Sequence, residues 1–518
     1  MLIRTEVWPS LYQDSVILMQ IAAKVRVRPG IDEAAAFMGT QTNHDLLEEI
    51  GLGTDEGRKA CPNDVIFTVR ADSEEGAIAA IEAARAMVSE KRSDDGGETE
   101  VMPRTLDSAL RTLPNANLAA ISVPGEFAEF EASRAIRRGL NVFLFSDNVP
   151  LADEIKLKRD ALAKGVLCMG PDCGTAYVSG QGIGFFNVIK KGRVGCIAAA
   201  GTGLQAVVSR VGALGEGLSH GIGVGGRDLS ADVGGAMTLF ALDALAEDAA
   251  TEVIIIISKP PHPEVMARIE TVIQRIEKPV VVGCLGASHN TDGRAAWVST
   301  LDEAADAAVG LLAGKAWSPV AFRDAGAAKA AFNDIQKLKA ETPPTVLGLY
   351  TGGTLAHETH LLLKDHLKAV NLNGKIDREE TVSRIIDLGG DEYTVGRPHP
   401  MIAPETRTEI VEKMGDLPNV GVALFDLVIG RGSHEDPARP LVEAFCVARK
   451  AAKAAGRNLI GVASVVGTQD DPQDLDGQVA QLAEAGMHLF PSNAEATRFA
   501  AMVVNPALAD RFLEGSNL

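Results

Sequence analysis

Two periods run through the chain, and the places where one gives way to the other mark out its elements. Val65–Val69 and, more weakly, Glu33–Met38 are short apolar runs of the strand kind, whereas Asp14–Lys24 and Glu74–Val88 repeat apolar residues at helical spacing. Together they predict a small α+β domain over 1–90. The stretch 89–100, Ser-Glu-Lys-Arg-Ser-Asp-Asp-Gly-Gly-Glu-Thr-Glu, is charged and aperiodic, so it predicts a linker and a boundary near 90–103.

Past that boundary the pattern becomes strand, helix, strand. Leu118–Val123, Asn141–Phe145 and Val166–Met169 read as strands, with Phe127–Arg138 and Leu151–Lys164 as the helices between them. This predicts a parallel sheet over 104–190. A second block, 191–315, opens with the strand Arg193–Ala199, turns through Gly201-Thr-Gly203 and continues with strands Val253–Ser258 and Val280–Cys284. Residues 313–344 are Ala-rich and close on Thr342-Pro-Pro-Thr345, which predicts a helical linker ended by prolines. A third block, 345–510, repeats the design: strand Val346–Tyr350, turn Thr351-Gly-Gly-Thr354, then strands Gly421–Ile429 and Leu459–Ser464 and a helix over 473–486. The expected fold class is α/β: three doubly wound, flavodoxin- or Rossmann-like parallel-sheet domains preceded by a small α+β domain.

Composition narrows the partners. The 518 residues include 69 acidic and 50 basic ones, a formal net charge of −19, which disfavours nucleic acid and anionic membrane surfaces while leaving room for one positive pocket. A small anionic substrate is the expected ligand. Glycines number 52 while aromatics make up only 4%, as tight turns and close backbone approaches to phosphate require. The start has no long apolar segment followed by a cleavage site, and the aliphatic run Val253–Ile257 is far short of the ~20 residues that span a bilayer. A cytoplasmic protein is expected. The six cysteines show no C-x-x-C pair and no zinc spacing, which predicts reduced thiols and no metal site.

Four constellations carry candidate chemistry. Gly201, Thr202 and Gly203 open a helix after a strand, so their amides and the positive end of the helix dipole could hold a phosphate or carboxylate. Gly352, Gly353 and Thr354 are built the same way, and two such N-termini facing each other would make a doubly polarised anion pocket. In Gly221-Ile-Gly-Val-Gly-Gly-Arg-Asp228, Gly225 and Gly226 allow close backbone approach and Arg227 could fork onto an anion; the alternative is a glycine-rich loop with a surface Arg–Asp pair. The stretch 386–400 packs Asp387, Gly389, Gly390, Asp391, Arg397 and His399 into a short Pro-terminated loop. There His399 could be a general acid/base or a phosphate donor. Lys259, after a strand, is a candidate anion contact. Pro171, Asp172 and Cys173 end another strand, where open α/β sheets place ligands. His357, Glu358 and His360 lack the H-E-x-x-H spacing and read as a solvated helix face.

Gly170-Pro-Asp-Cys173, the turn at 201–203, Gly223-Val-Gly-Gly226 and Asp387-Leu-Gly-Gly390 resemble the succinyl-CoA synthetase superfamily. Within it, Tyr12-Gln-Asp-Ser-Val16, Met38-Gly-Thr40, Phe145-Ser-Asp-Asn148 and Tyr393-Thr-Val-Gly-Arg-Pro-His-Pro-Met401 resemble the FdrA family. The resemblance implies a CoA-binding-like Rossmann domain at 104–190, a first ligase domain at 191–315 and a second at 345–510. Departures from the superfamily pattern matter. Where it carries a G-H-A-G-A loop with a phosphorylated histidine, this chain has Leu285-Gly-Ala-Ser-His-Asn-Thr-Asp-Gly-Arg294, and the role is not moved onto His289. Ser258-Lys-Pro-Pro261 stands where the acidic partner of that histidine belongs. The resemblance therefore implies a carbamoyltransferase subunit that interconverts oxalurate plus phosphate with oxamate plus carbamoyl phosphate, in allantoin nitrogen metabolism and with further subunits. By this reading Gly201–Gly203 and Gly352–Thr354 hold phosphate, Arg397 or Arg227 holds the substrate carboxylate, and His399 moves the proton. Phosphate or carbamoyl phosphate would be a substrate; no resident cofactor is certain, and CoA, a homo-oligomer, acid-CoA ligase activity and a non-catalytic metabolite-binding scaffold stay open.

Overall fold

The computed structural model describes residues 2–11, 13, 15–93, 103–287, 294–315, 317–379, 381–394 and 397–514. They divide into two compact units, Met1–Ala109 with Asp391–Thr406, and Leu110–Gly390 with Arg407–Leu518.

In the first unit β1 (Leu2–Trp8), β2 (Ile31–Met38) and β3 (Val65–Ala71) form an antiparallel sheet in the order β1-β3-β2. The central β3, Val-Ile-Phe-Thr-Val-Arg-Ala, is buried at every position but Arg70, as a strand flanked on both sides requires. Periodicity does not predict β1: Arg4 and Glu6 interrupt its apolar residues, and only Thr5 and Trp8 are buried. Helices Ser15–Arg26 and Glu74–Ser93 close a core of Leu18, Ile21, Val25, Val69, Ala77 and Ile81, where Trp8 stacks on Phe67 with ring centroids 5.6 Å apart. Each large side chain so buried stabilises the unit by ~1.5–3 kcal/mol. The second helix runs into the expected linker, whose remainder, 94–102, lies outside the described residues. Asp391–Thr406 also belongs to this unit, with Arg26 Nη2 3.7 Å from Glu405 Oε2. The stretch has no period of its own to set it apart from the residues around it.

In the second unit β4 (Leu118–Ile121), β5 (Asn141–Leu144) and β6 (Cys168–Met169) lie parallel in that order, with helices Gly125–Arg137 and Leu151–Lys164 as crossovers. A seven-stranded sheet follows, built from β7 (Thr175–Val178), β8 (Gln181–Gly184), β9 (Lys191–Ala198), β10 (Leu218–Gly223), β11 (Val253–Ser258), β12 (Val280–Cys284) and β13 (Ala296–Trp297). Its order is β13-β12-β11-β9-β10-β7-β8, parallel except that β7 runs antiparallel to both β10 and β8. The β7–β8 hairpin precedes residue 190, so this sheet takes its edge from chain expected in the preceding domain. The third sheet has β14 (Thr345–Tyr350), β15 (Val370–Leu372), β16 (Ser383–Asp387), β17 (Val420–Val428), β18 (Ile460–Val466) and β19 (His488–Phe490), all parallel, in the order β15-β16-β14-β17-β18-β19. Strand order reverses at β9 in one large sheet and at β14 in the other. The carboxyl ends of those two strands are the switch points where open α/β sheets bind ligands.

Candidate phosphate site between two helix N-termini

Both switch-point strands end in a glycine turn. β9 leads through Ala199-Ala200 into the helix Gly201–Ala213, and β14 through Thr351-Gly352 into the helix Gly353–Lys364. Neither N-cap, Ala200 or Gly352, supplies a side-chain acceptor, so the first-turn amides and the helix dipole suit an external oxygen. The two turns meet. A methyl group added at Gly352 would collide with the side chain of Thr202, and one at Gly203 would come 2.9 Å from Thr354 Cγ2. One at Gly201 would come 2.8 Å from Thr175 Oγ1. Among the described residues the hydroxyls of Thr175 and Thr354 are enclosed with no hydrogen-bond partner, a state that costs ~1–3 kcal/mol per group and recurs where a ligand supplies the missing bond.

Two further side chains reach the same helix end. A methyl group at Gly353 would lie 2.5 Å from Asp387 Oδ2 and 3.8 Å from Lys259 Nζ. Asp387 ends β16 beside β14; its Oδ1 accepts from Gly389 N at 3.0 Å, and Leu388 N donates to Tyr350 O at 2.8 Å. Lys259, Asp387, Gly389 and Gly390 are thus gathered with both turns. Beneath them Asp426 of β17 accepts from Thr351 N at 3.0 Å and Thr351 Oγ1 at 2.8 Å. Arg407 Nη1 stands 3.3 Å from Asp426 Oδ1. Burial pushes the Asp426 carboxyl up to about 6 against the pull of Arg407, and burial lowers Arg407 in turn. The sequence reading omits this pair. Its signal is a lone acid inside Val420–Val428, a strand buried at every position, because a charge there requires a partner.

The helix Gly353–Lys364 also corrects an expectation. Glu358 is not solvated: its Oε1 accepts from Leu301 N at 2.7 Å and its Oε2 from Asn493 Nδ2 at 2.8 Å, and burial pushes the carboxyl up to about 7. His357 and His360 are half-buried, each with one enclosed ring nitrogen that has no partner among the described residues, Nε2 and Nδ1 respectively. Burial, then the charge of Lys259, pushes His357 down to about 4. Further along the two helices lies a cavity of roughly 370 Å3, lined by Ala206, Ser209, Leu355, Val466, Leu489 and Phe490 among others.

The other candidates go elsewhere. Arg227 Nε is 2.7 Å from Glu154 Oε2 and its Nη2 donates to Val149 O at 2.8 Å, so the guanidinium is engaged in an internal network. That network centres on Lys158, buried between Glu154 (2.8 Å) and Asp228 (2.9 Å). Gly225 packs its backbone on the Pro171 carbonyl, while Gly226 borders open space. Asp172 N donates to Ser146 O at 3.0 Å. Cys173 is buried and its thiol is pushed up to about 12 by desolvation, which leaves it protonated rather than nucleophilic. The 386–400 constellation is divided between the units. Asp387, Gly389 and Gly390 belong to the second, whereas Asp391, Arg397 and His399 belong to the first, where Asp391 and Arg397 are exposed and His399 Nδ1 accepts from Met401 N at 3.2 Å. Burial pushes His399 down to about 4. His289, Tyr12, Asp14, Val395 and Gly396 lie outside the described residues.

Residues 349–503 match the CoA-ligase family model, and residues 1–103 match the model described as AllF, heavy metal-associated domain. The latter stretch has a single cysteine, Cys61, and among the described residues no group of three or more His, Cys, Asp or Glu could hold a metal ion. Also among the described residues, no helix is long and apolar enough to cross a membrane. The uncharacterized protein YahF of Escherichia coli is 36% identical over 508 residues, 95% of this chain and 97% of that protein. The succinate–CoA ligase [ADP-forming] subunit alpha of Staphylococcus epidermidis is 26% identical over 183 residues, 35% of this chain and 59% of that subunit. The apo dinucleotide-forming acetyl-coenzyme A synthetase 1 of Ca. Korarchaeum cryptofilum aligns at 15% identity and a TM-score of 0.32, over 82% of this chain and 90% of that one. With YahF matched along nearly its whole length and both ends of the chain matched by family models, the protein belongs to the FdrA-like family of the succinyl-CoA synthetase superfamily.

Proposed function

We propose that the chain is the phosphate-handling subunit of a carbamoyltransferase, moving a carbamoyl group between a ureido acid such as oxalurate and phosphate. The observation that carries this reading is the meeting of the two glycine turns, Thr202 against Gly352 and Gly203 against Thr354, with Lys259 beside them. The first-turn amides, the Thr175 and Thr354 hydroxyls and Lys259 would hold the phosphate oxygens, and would stabilise charge that develops on them as the carbamoyl group transfers. Lysine in place of the superfamily's acidic residue at 258–261, and the absence of its G-H-A-G-A loop, support direct transfer to phosphate over a phosphohistidine route.

The test is phosphate release from carbamoyl phosphate plus oxamate, by the chain copurified with the subunits encoded beside it, with and without CoA. Oxamate-dependent, CoA-independent release is expected. Release that appears only with CoA and ATP would sink the reading. A second reading, an acid-CoA ligase, is favoured by one observation: the cavity along the two helices is mostly apolar, which suits an acid with a hydrocarbon body better than oxamate.

A further inference from the structure

We infer that His357 is the proton-transfer residue of the phosphate site, its Nε2 taking the proton of bound phosphate as the phosphate oxygen attacks the carbonyl carbon. This rests on the phosphate-transfer reading above. His357 lies one helical turn beyond Gly353 on the same face of the helix, at the i, i+4 spacing that stacks two positions. At Gly353 that face meets Lys259 and Asp387. The next turn of the helix packs on the loops after β11 and β12, where a methyl group at Gly286 would come 3.1 Å from Leu361 Cδ1 and 3.7 Å from Pro260 Cγ. His357 is therefore set between the phosphate turn and the loop that carries Lys259.

Its Nε2 is enclosed and, among the described residues, has no hydrogen-bond partner. Among the described residues, the charged and titratable groups that act on the ring are Lys259 across from it and His360 and Lys364 on its own helix, all basic. Glu358 turns away, onto Leu301 and Asn493. A neutral imidazole in this setting, with the proton on Nδ1, offers a lone pair to the hydroxyl of a phosphate drawn in by Lys259 and the helix amides. In the step the O–C bond forms, the C–N bond of the ureido acid breaks, and the phosphate proton passes to Nε2 and on to the departing amide nitrogen. Carbamoyl phosphate and oxamate result, with no redox change.

The experiment has two arms. In the first, His357→Gln and His399→Ala are compared with the unsubstituted complex in both directions of carbamoyl transfer. His357→Gln is expected to lower kcat at least a hundredfold with the phosphate KM within threefold, and His399→Ala to lower kcat less than tenfold. Turnover of His357→Gln within twofold of the parent, or loss confined to His399→Ala, overturns the assignment. The second arm needs no turnover: imidazole 15N resonances of the full chain are followed while inorganic phosphate is added. The His357 Nε2 resonance is expected to move, and the titration midpoint of the ring to rise by at least one pH unit, as a bound anion favours the cation. A His357 signal unchanged at saturating phosphate, or no phosphate binding at all, overturns the inference. If the complex shows no phosphate-dependent transfer while His357 responds to phosphate, the carbamoyltransferase reading fails and the placement of His357 at the anion site stands.

Discussion

At the scale of the residue, the proposed phosphate site depends on what the glycines lack. Gly352 lets Thr202 of the other turn occupy the place a Cβ would take. In Gly352→Ala the added methyl drives the turns apart, and inorganic phosphate binding by calorimetry is expected to weaken at least tenfold, about 1.4 kcal/mol, with the far-ultraviolet circular dichroism unchanged. Affinity within twofold of the parent would show that the turns do not hold the anion jointly. These glycines were legible in the sequence because a strand–Gly-Thr–helix pattern has a local mechanism. Their meeting was not, since Thr202 and Gly352 are brought together by two separate sheets. Asp426 escapes notice, and His357 reads as a solvated face, for a related reason. Their significance comes from a neighbour, Arg407 for one and Lys259 for the other, that no spacing along the chain announces.

Among the elements, the strands that periodicity finds and those it misses differ in position. β11, β12 and the helix Leu151–Lys164 match their expected ends because interior strands carry continuous apolar runs, and that helix starts after Pro150 and stops at the left-handed Gly165. β8, β15 and β19 lie at sheet edges with no buried residue, and β1, also an edge, alternates too irregularly to declare itself. An edge strand is held by backbone pairing to its neighbour, and so needs less apolar side chain to be specified. Between elements, the Lys158 network ties the helix Leu151–Lys164 to the one that starts at Ala236. Asp228 accepts from Lys158 Nζ and also caps that second helix through Met237 N at 3.1 Å and Thr238 N at 2.9 Å. Asp228→Ala leaves Lys158 enclosed with one fewer partner and the helix uncapped, and is expected to cost about 3–5 kcal/mol in urea unfolding. A loss under 1 kcal/mol would mean that water reaches Lys158 and replaces the carboxylate.

For the molecule as a whole, pH enters through a carboxyl that folding holds protonated. Glu358 is pushed up to about 7 from the ordinary value of 4.5, so its contribution to stability is complete below about 4.5 and is lost as pH rises through 7. The thermal midpoint of the parent is therefore expected to fall further between pH 5 and pH 8 than that of Glu358→Gln, which has no proton to lose. Equal falls in the two proteins would show that Glu358 is ionised throughout. A different consequence follows from the first unit being composed of Met1–Ala109 and Asp391–Thr406. The backbone passes between the units three times, and two widely separated stretches of gene encode one folded body. Removing either stretch alone therefore leaves part of that body behind. Arg26 and Glu405, encoded far apart, stand 3.7 Å from each other within it, so a deletion that takes one strands the other.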